Sequence, residues 1–135
     1  MAKFPTDEWL QALIDKLNSD EQYARIAHKW EGDMVVAIEP EGPITTEKIY
    51  YLDLWHGACR EGYVLENGED VNPALFLSAP YFTFVKILKG DLPVLQALLT
   101  HKIRLKGNMA LLMRNVPTVL DFVRCASEVS DSYLE

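Results

Sequence analysis

The sequence holds two cysteines, three histidines and seven glycines in 135 residues, and each scarcity removes a class of chemistry. Cys59 and Cys125 stand far apart, one in an expected strand and one in an expected helix. Two buried thiols suit a reducing compartment, and the sequence leaves a bridge between them open. His28, His56 and His101 fall one to an element, with no HxH or HxxxH pair and no neighbouring cysteine, so metal-ligand spacing is missing. The glycines Gly57, Gly62, Gly68, Gly90 and Gly107 are scattered as turn residues and make no phosphate loop. No GxSxG elbow surrounds Ser78, so a triad of Ser78, His101 and Asp91 has no support, and Ser78 reads as a strand-end residue capping the next helix. Glu66, Glu69 and Asp70 lack EF-hand spacing and read as a solvated loop. Nothing in this inventory demands an enzyme, a metal or a cofactor.

Basic residues and long apolar runs are also short. Lys and Arg number 13 against 20 Asp and Glu, giving a net charge of −7. Such a chain has no general pull towards nucleic acid or anionic headgroups, and nucleic-acid binding is not expected. No apolar run approaches the length of a membrane span, MAKFPTDEW lacks the apolar core of a signal peptide, and Ser132 to Glu135 is not a peroxisomal address. The expectation is a cytoplasmic protein whose residues 1–135 form one domain. Apolar residues make up 49% of the chain, enough for a sizeable core.

What is present is periodicity. Thr6 precedes acidic Asp7 and Glu8, and Trp9, Leu10, Leu13, Ile14 and Leu17 then follow helical spacing. Ser19 and Gln22 suggest a capping box for a second short helix carrying Tyr23, Ile26 and Ala27. The period then changes to two. Met34, Val36 and Ile38 alternate with Val35 and Ala37, and Tyr50, Leu52 and Leu54 share one face of the next strand. His56-Gly57 turns into a strand from Cys59 to Leu65, and Leu75 to Ser78 reads as a fourth. Short strands joined by short turns predict an antiparallel sheet. Pro80 opens a helix with a stripe of Tyr81, Phe84, Val85 and Leu88; Phe82 and Ile87 widen it, so that helix is either deeply buried or borders a cavity.

The densest stretch is LPVLQALLTHKIRLKGNMALLM, Leu92 to Met113. Asp91 is placed to cap a helix bearing Val94, Leu95, Leu98 and Leu99. Lys102 to Lys106 alternates charge and aliphatic, with Ile103 and Leu105 on one side of a strand. Gly107 turns the chain, Asn108 is a candidate N-cap, and Met109, Leu112, Met113 and Val116 form the next apolar stripe. Pro117 opens a last helix with Val119, Phe122, Val123 and Ala126 on one face, and the polar tail from Ser127 is expected to fray. Helices covering one face of a mainly antiparallel sheet make an α+β domain.

The segment KIRLKGNMALLM resembles the signature of the sterol-carrier-protein lipid-transfer family. The likeness runs back through APYFTFVKILKGDLPVLQALLTHK and, more faintly, through the aromatic N-terminal helices and Trp30-Glu31-Gly32. His101 is a departure, since the family usually carries glycine after the short helix; histidine tolerates a left-handed C-cap better than most residues. The resemblance implies a five-stranded, mainly antiparallel sheet with helices on one face enclosing an apolar tunnel. It implies binding or transfer of a fatty acid, acyl-CoA, sterol, isoprenoid or other apolar small molecule, without a catalytic group. The walls expected of such a tunnel are Leu52, Leu54, Phe76, Phe82, Leu98, Leu105, Met109, Met113 and Phe122. Arg104 and Lys106 fall by alternation on the outer sheet face, where they serve solubility. Transient membrane contact and a homodimer stay open. The rival reading is a non-catalytic accessory module that docks a partner enzyme or dimerises through Trp9, Trp30 and Trp55. A third, an acyl hydrolase, would need Ser78 or Cys59 beside His101 in a pocket.

Overall fold

The computed structural model describes residues 2–66 and 71–135; Gly68, Glu69 and Asp70 lie outside the described residues. The chain opens with a strand, β1 (Ala2–Phe4), and passes into helices α1 (Asp7–Ser19) and α2 (Glu21–Ile26). Thr6 caps α1 as its sequence predicts, its hydroxyl oxygen accepting from Trp9 N–H at 3.2 Å. The cap of α2 is Asp20, not Ser19. The Asp20 carboxylate accepts from Tyr23 N–H at 2.8 Å, and a charged acceptor suits the positive end of a helix better than a hydroxyl. Ser19 instead donates back to the Asp15 carbonyl.

Strands β2 (Glu31–Glu39), β3 (Lys48–Trp55), β4 (Ala58–Val64), β5 (Leu75–Pro80) and β6 (Arg104–Gly107) form one sheet in the order β4-β3-β2-β5-β6. Only the β2–β5 pair is parallel, because the chain leaving β4 at one edge crosses to the far side of β2. The five-stranded, mainly antiparallel sheet is therefore the one expected. Register decides its faces. Met34 lies beside Leu52 and Leu75, and Val36 beside Tyr50 and Leu77, so these six point inward together. Val35, Tyr51, Phe76 and Lys106 share the opposite face. On β6 and just before it Ile103 is buried, Leu105 partly buried, and Arg104 and Lys106 exposed. Gly107 has φ +118°, and an added Cβ would lie 2.2 Å from the Ala74 carbonyl oxygen, so no other residue fits that turn.

Four further helices cover the inner face: α3 (Tyr81–Leu88), α4 (Val94–Leu99), α5 (Met109–Arg114) and α6 (Val116–Val129). Asn108 caps α5 as read, accepting from Leu111 N–H at 3.0 Å. Asp91 does not cap α4. Pro93 occupies that position without a side-chain bond, while Asp91 N–H closes the end of α3 on the Lys86 carbonyl. His101 takes the left-handed φ of 59° that ends α4.

The tail does not fray. After α6 the chain forms β7 (Ser130–Tyr133), which pairs in parallel with β1. Leu134 N–H donates to the Phe4 carbonyl, Tyr81 O–H to the Leu134 carbonyl at 2.8 Å, and Trp9 Nε1–H to Ser130 Oγ at 2.8 Å. The reason is nonlocal: the backbone of a polar segment finds its partner at the other end of the chain.

Candidate functional site

The inner sheet face and the helices do not close on each other completely. They enclose a cavity of about 120 Å³. Its floor is Met34, Val36, Ile38, Tyr50, Leu52, Leu54, Leu75 and Leu77 from the sheet. Trp9 and Leu13 of α1, Phe84, Ile87 and Leu88 of α3, Val94 and Leu98 of α4, and Leu112 of α5 close the sides. Helix α6 supplies Val119, Phe122, Val123 and Ala126, the face predicted for it. Phe4, held by the β1–β7 pair, joins the wall. Val36 sits between two paired strands and yet is only partly buried, since its free surface is the cavity.

The wall presents carbon because its polar edges are turned away. Trp30 Nε1–H donates to the Gly32 carbonyl at 2.9 Å and Thr118 Oγ–H to the Ile26 carbonyl at 3.3 Å. Tyr50 O–H donates to the Thr6 carbonyl at 3.3 Å, and burial raises the pKa of both Tyr23 and Tyr50, keeping them neutral. Trp9 is satisfied by Ser130. No buried side-chain polar atom among the described residues lacks a partner. Water entering such a space would find nothing to bond, whereas each methylene placed there is worth about 0.8 kcal/mol.

Four of the nine expected wall residues face this cavity: Leu52, Leu54, Leu98 and Phe122. The other five do not. Phe76 is on the outer face by strand parity, its neighbours Leu75 and Leu77 pointing in. Phe82 is 44% exposed and lies against Gly42. Leu105 is on the inner face beside Leu77 but packs against the core beyond the cavity. Met109 and Met113 are 51% and 57% exposed, because α5 turns Leu111 and Leu112 inward, with Leu111 seated over Gly32. Trp9 and Trp30, offered as surface anchors for a partner, are 5% and 4% exposed and belong to the wall. Phe4, Trp9, Tyr23, Trp30, Tyr50 and Phe84 are aromatic wall residues absent from the expected nine. Trp9 carried a signal, the α1 stripe; Phe4 carried none.

The second face of α6 is polar and fixes the helix. Arg124 bonds Asp20 at 2.6 Å, Asp121 at 2.8 Å and Glu128 at 2.8 Å, and Gln22 Nε2–H donates to Asp121 at 2.7 Å. Lys16 bridges Asp20 and Glu128. The Arg124 guanidinium and the Tyr23 N–H hold the Asp20 carboxyl far below its ordinary value. Asp20, Asp121 and Cys125 converge as metal ligands would, but Arg124 already supplies the positive charge there.

Catalytic alternatives do not assemble. Cys59 lies on the β4 edge of the sheet and His101 adjoins the β6 edge, the opposite one. Neither Ser78, paired with Arg104 on β6, nor His101 lines the cavity. Cys59 and Cys125 are free and buried, and burial pushes both thiols up to about 11. Two histidines do meet: His28 and His56 have ring centroids 6.4 Å apart, with His56 Nε2 2.5 Å from Glu31 on the exposed end of the sheet. No helix is long and apolar enough to cross a membrane among the described residues.

The family model described as the SCP-2 sterol transfer family matches residues 8–119. A crystal structure of sterol carrier protein 2 superposes with a TM-score of 0.83 at 33% identity, covering 93% of this chain and 98% of that one. A conserved hypothetical protein of Thermus thermophilus, described as possibly a sterol carrier protein, gives 0.81 at 33% identity over 93% and 88%. An Aedes aegypti sterol carrier protein solved with the C16 fatty acid palmitate gives 0.56 at 18% identity over 88% and 94%, a likeness of fold. No curated protein sequence matches.

Proposed function

The chain belongs to the SCP-2 sterol transfer family, and from that premise we propose that it is a non-catalytic carrier that takes up the tail of a lipid in the cavity between sheet and helices. The observation that supports this reading is the wall itself. Residues from most elements of the fold converge on one space, and Trp9, Trp30, Tyr50 and Thr118 all spend their polar atoms elsewhere. The ligand classes that suit it are fatty acyl chains, sterols and isoprenoids, bound by their hydrocarbon portion.

Ligand pockets commonly measure about 300–1,000 Å³, so a cavity of about 120 Å³ must widen to admit a long chain. The element built to yield is α4. It has six residues and no side-chain cap, and it lies between Gly90 at φ +85° and His101 at φ 59°. Its Val94 and Leu98 are wall residues, so a displacement of α4 widens the cavity.

Organic-solvent extraction of the purified protein, followed by mass spectrometry of the extract, tests the proposal. A stoichiometric lipid is expected, as is uptake of a bromine-substituted fatty acid that quenches the emission of Trp9 and Trp30. A protein that holds no lipid and leaves both tryptophans unquenched would refute it.

A further inference from the structure

The histidines show no metal-ligand spacing along the chain, yet the fold brings two of them to one carboxylate. His28 lies in the turn that ends α2, Glu31 opens β2, and His56 begins the two-residue turn between β3 and β4. His56 Nε2 stands 2.5 Å from Glu31 Oε2, and the rings of His28 and His56 have centroids 6.4 Å apart at 61°. Two imidazoles and a carboxylate are a zinc donor set that keeps its fourth position for water.

This corner holds His56 where the turn itself favours another residue. Trp55 pairs with Ala58 across the turn, and His56 and Gly57 both have positive φ, 49° and 81°. Turns of this kind prefer asparagine before glycine. A left-handed residue other than glycine is a cost that functional sites commonly carry. His56 N–H donates to the Trp30 carbonyl at 2.7 Å and ties the turn to the entry of β2. Trp55 stacks on the imidazole with centroids 5.1 Å apart and planes within 4°. Arg60 lies 4.4 Å over Trp55, and Asp53 holds Arg60. Stacking occupies a face of the His56 ring and leaves its in-plane nitrogens to bind.

Distances fix how far the side chains must move. With a metal–nitrogen bond of about 2.0–2.1 Å, an ion lies about 3.2 Å from the ring centroid. Two rings on one ion are then about 6.4 Å apart when opposed and about 5 Å apart in a tetrahedral arrangement. The observed 6.4 Å is the outer limit, so an approach of about 1 Å by His28 closes the site. Glu31 Oε2 must also recede from His56 Nε2 to about 3.4 Å. His28 is exposed and the Glu31 and His56 side chains are half exposed, and such side chains change rotamer readily.

We propose that His28, Glu31 and His56 form a site for one divalent transition-metal ion of the zinc or copper class, with water in the remaining position. Copper(II) binds such nitrogen donors more tightly than zinc. The site is separate from the cavity and does not depend on the carrier reading.

Isothermal titration calorimetry of the whole chain with zinc chloride tests it. One ion per chain with micromolar affinity is expected. Glu31→Gln should weaken binding about tenfold or more, and His28→Asn and His56→Asn should each weaken it further. Asparagine is the residue this turn favours, so His56→Asn should melt without zinc as the wild type does. Copper(II) should broaden the ring NMR signals of His28 and His56 and leave those of His101 sharp. No heat up to millimolar zinc would overturn the proposal. So would an affinity that survives either histidine replacement, as that of an ion held by Asp20, Asp121 and Cys125 would.

Discussion

Replacing Val36 by phenylalanine separates a ligand cavity from a filled core. Val36 lies mid-strand between Tyr50 and Leu77 and looks into the cavity of about 120 Å³. Keeping such a space open costs about 24 cal/mol per Å³, or about 3 kcal/mol in all. Phenylalanine is a good strand former, and a ring occupying half the space would return up to about 1.5 kcal/mol to the lipid-free protein. For a chain of this size that raises Tm by roughly 3–6 °C. The same ring removes room for two or three methylenes of a bound chain, about 2 kcal/mol or 30-fold in affinity. Thermal unfolding of delipidated protein, followed by circular dichroism, reads the first effect; a fluorescent fatty-acid titration reads the second. A falling Tm, as in an overpacked core at about 1–3 kcal/mol, with unchanged titration would refute the reasoning. Met109→Trp, on the exposed side of α5, should leave both measurements nearly unchanged.

Arg124→Met should destabilise by about 3 kcal/mol at pH 7, by stranding Asp20 and Asp121 beside each other. Because the Asp20 carboxyl is depressed when folded, its contribution is complete above its unfolded pKa of about 4 and drains away as pH falls through the folded value. The gap between variant and wild type in urea titrations should therefore close towards pH 2, and a gap independent of pH would contradict this account. Cys59 and Cys125, with thiols pushed up to about 11, should resist Ellman's reagent at pH 8 until the protein is denatured; rapid labelling of either would be the contrary result. Gly107→Ala should cost about 2 kcal/mol or more through strain at φ +118° and collision with Ala74, measured as a lower urea midpoint.

Much of this architecture was legible because alternation is a strong signal where polar and apolar residues take turns. Tyr50, Leu52 and Leu54 are separated by Tyr51 and Asp53, and the inner face of β3 follows directly. The signal fails where alternation stops. Leu75, Phe76 and Leu77 are all apolar, so parity depends on pairing with Met34 and Val36, which only the fold supplies. Helix α5 shows the analogous failure. Its six residues are almost all apolar, and spacing gives their relative phase but not which phase faces inward. Leu111 over Gly32 decides that, a contact between distant segments. The carboxylate network around Arg124 was invisible for the same reason, since Asp20 and Arg124 are 104 positions apart.

The pairing of β1 with β7 also fixes an order of events during synthesis. Phe4 leaves the ribosome long before Ser130 to Tyr133, the strand whose pairing with β1 seats it in the cavity wall. Until they emerge, the nascent chain lacks the strand that seats Phe4, and an incompletely covered apolar trough is the kind of surface that recruits chaperones or aggregates. A translation product stopped after Val129 would hold α6 and its wall residues and still lack this closure. The wall around the cavity is thus completed only after β7 has been made.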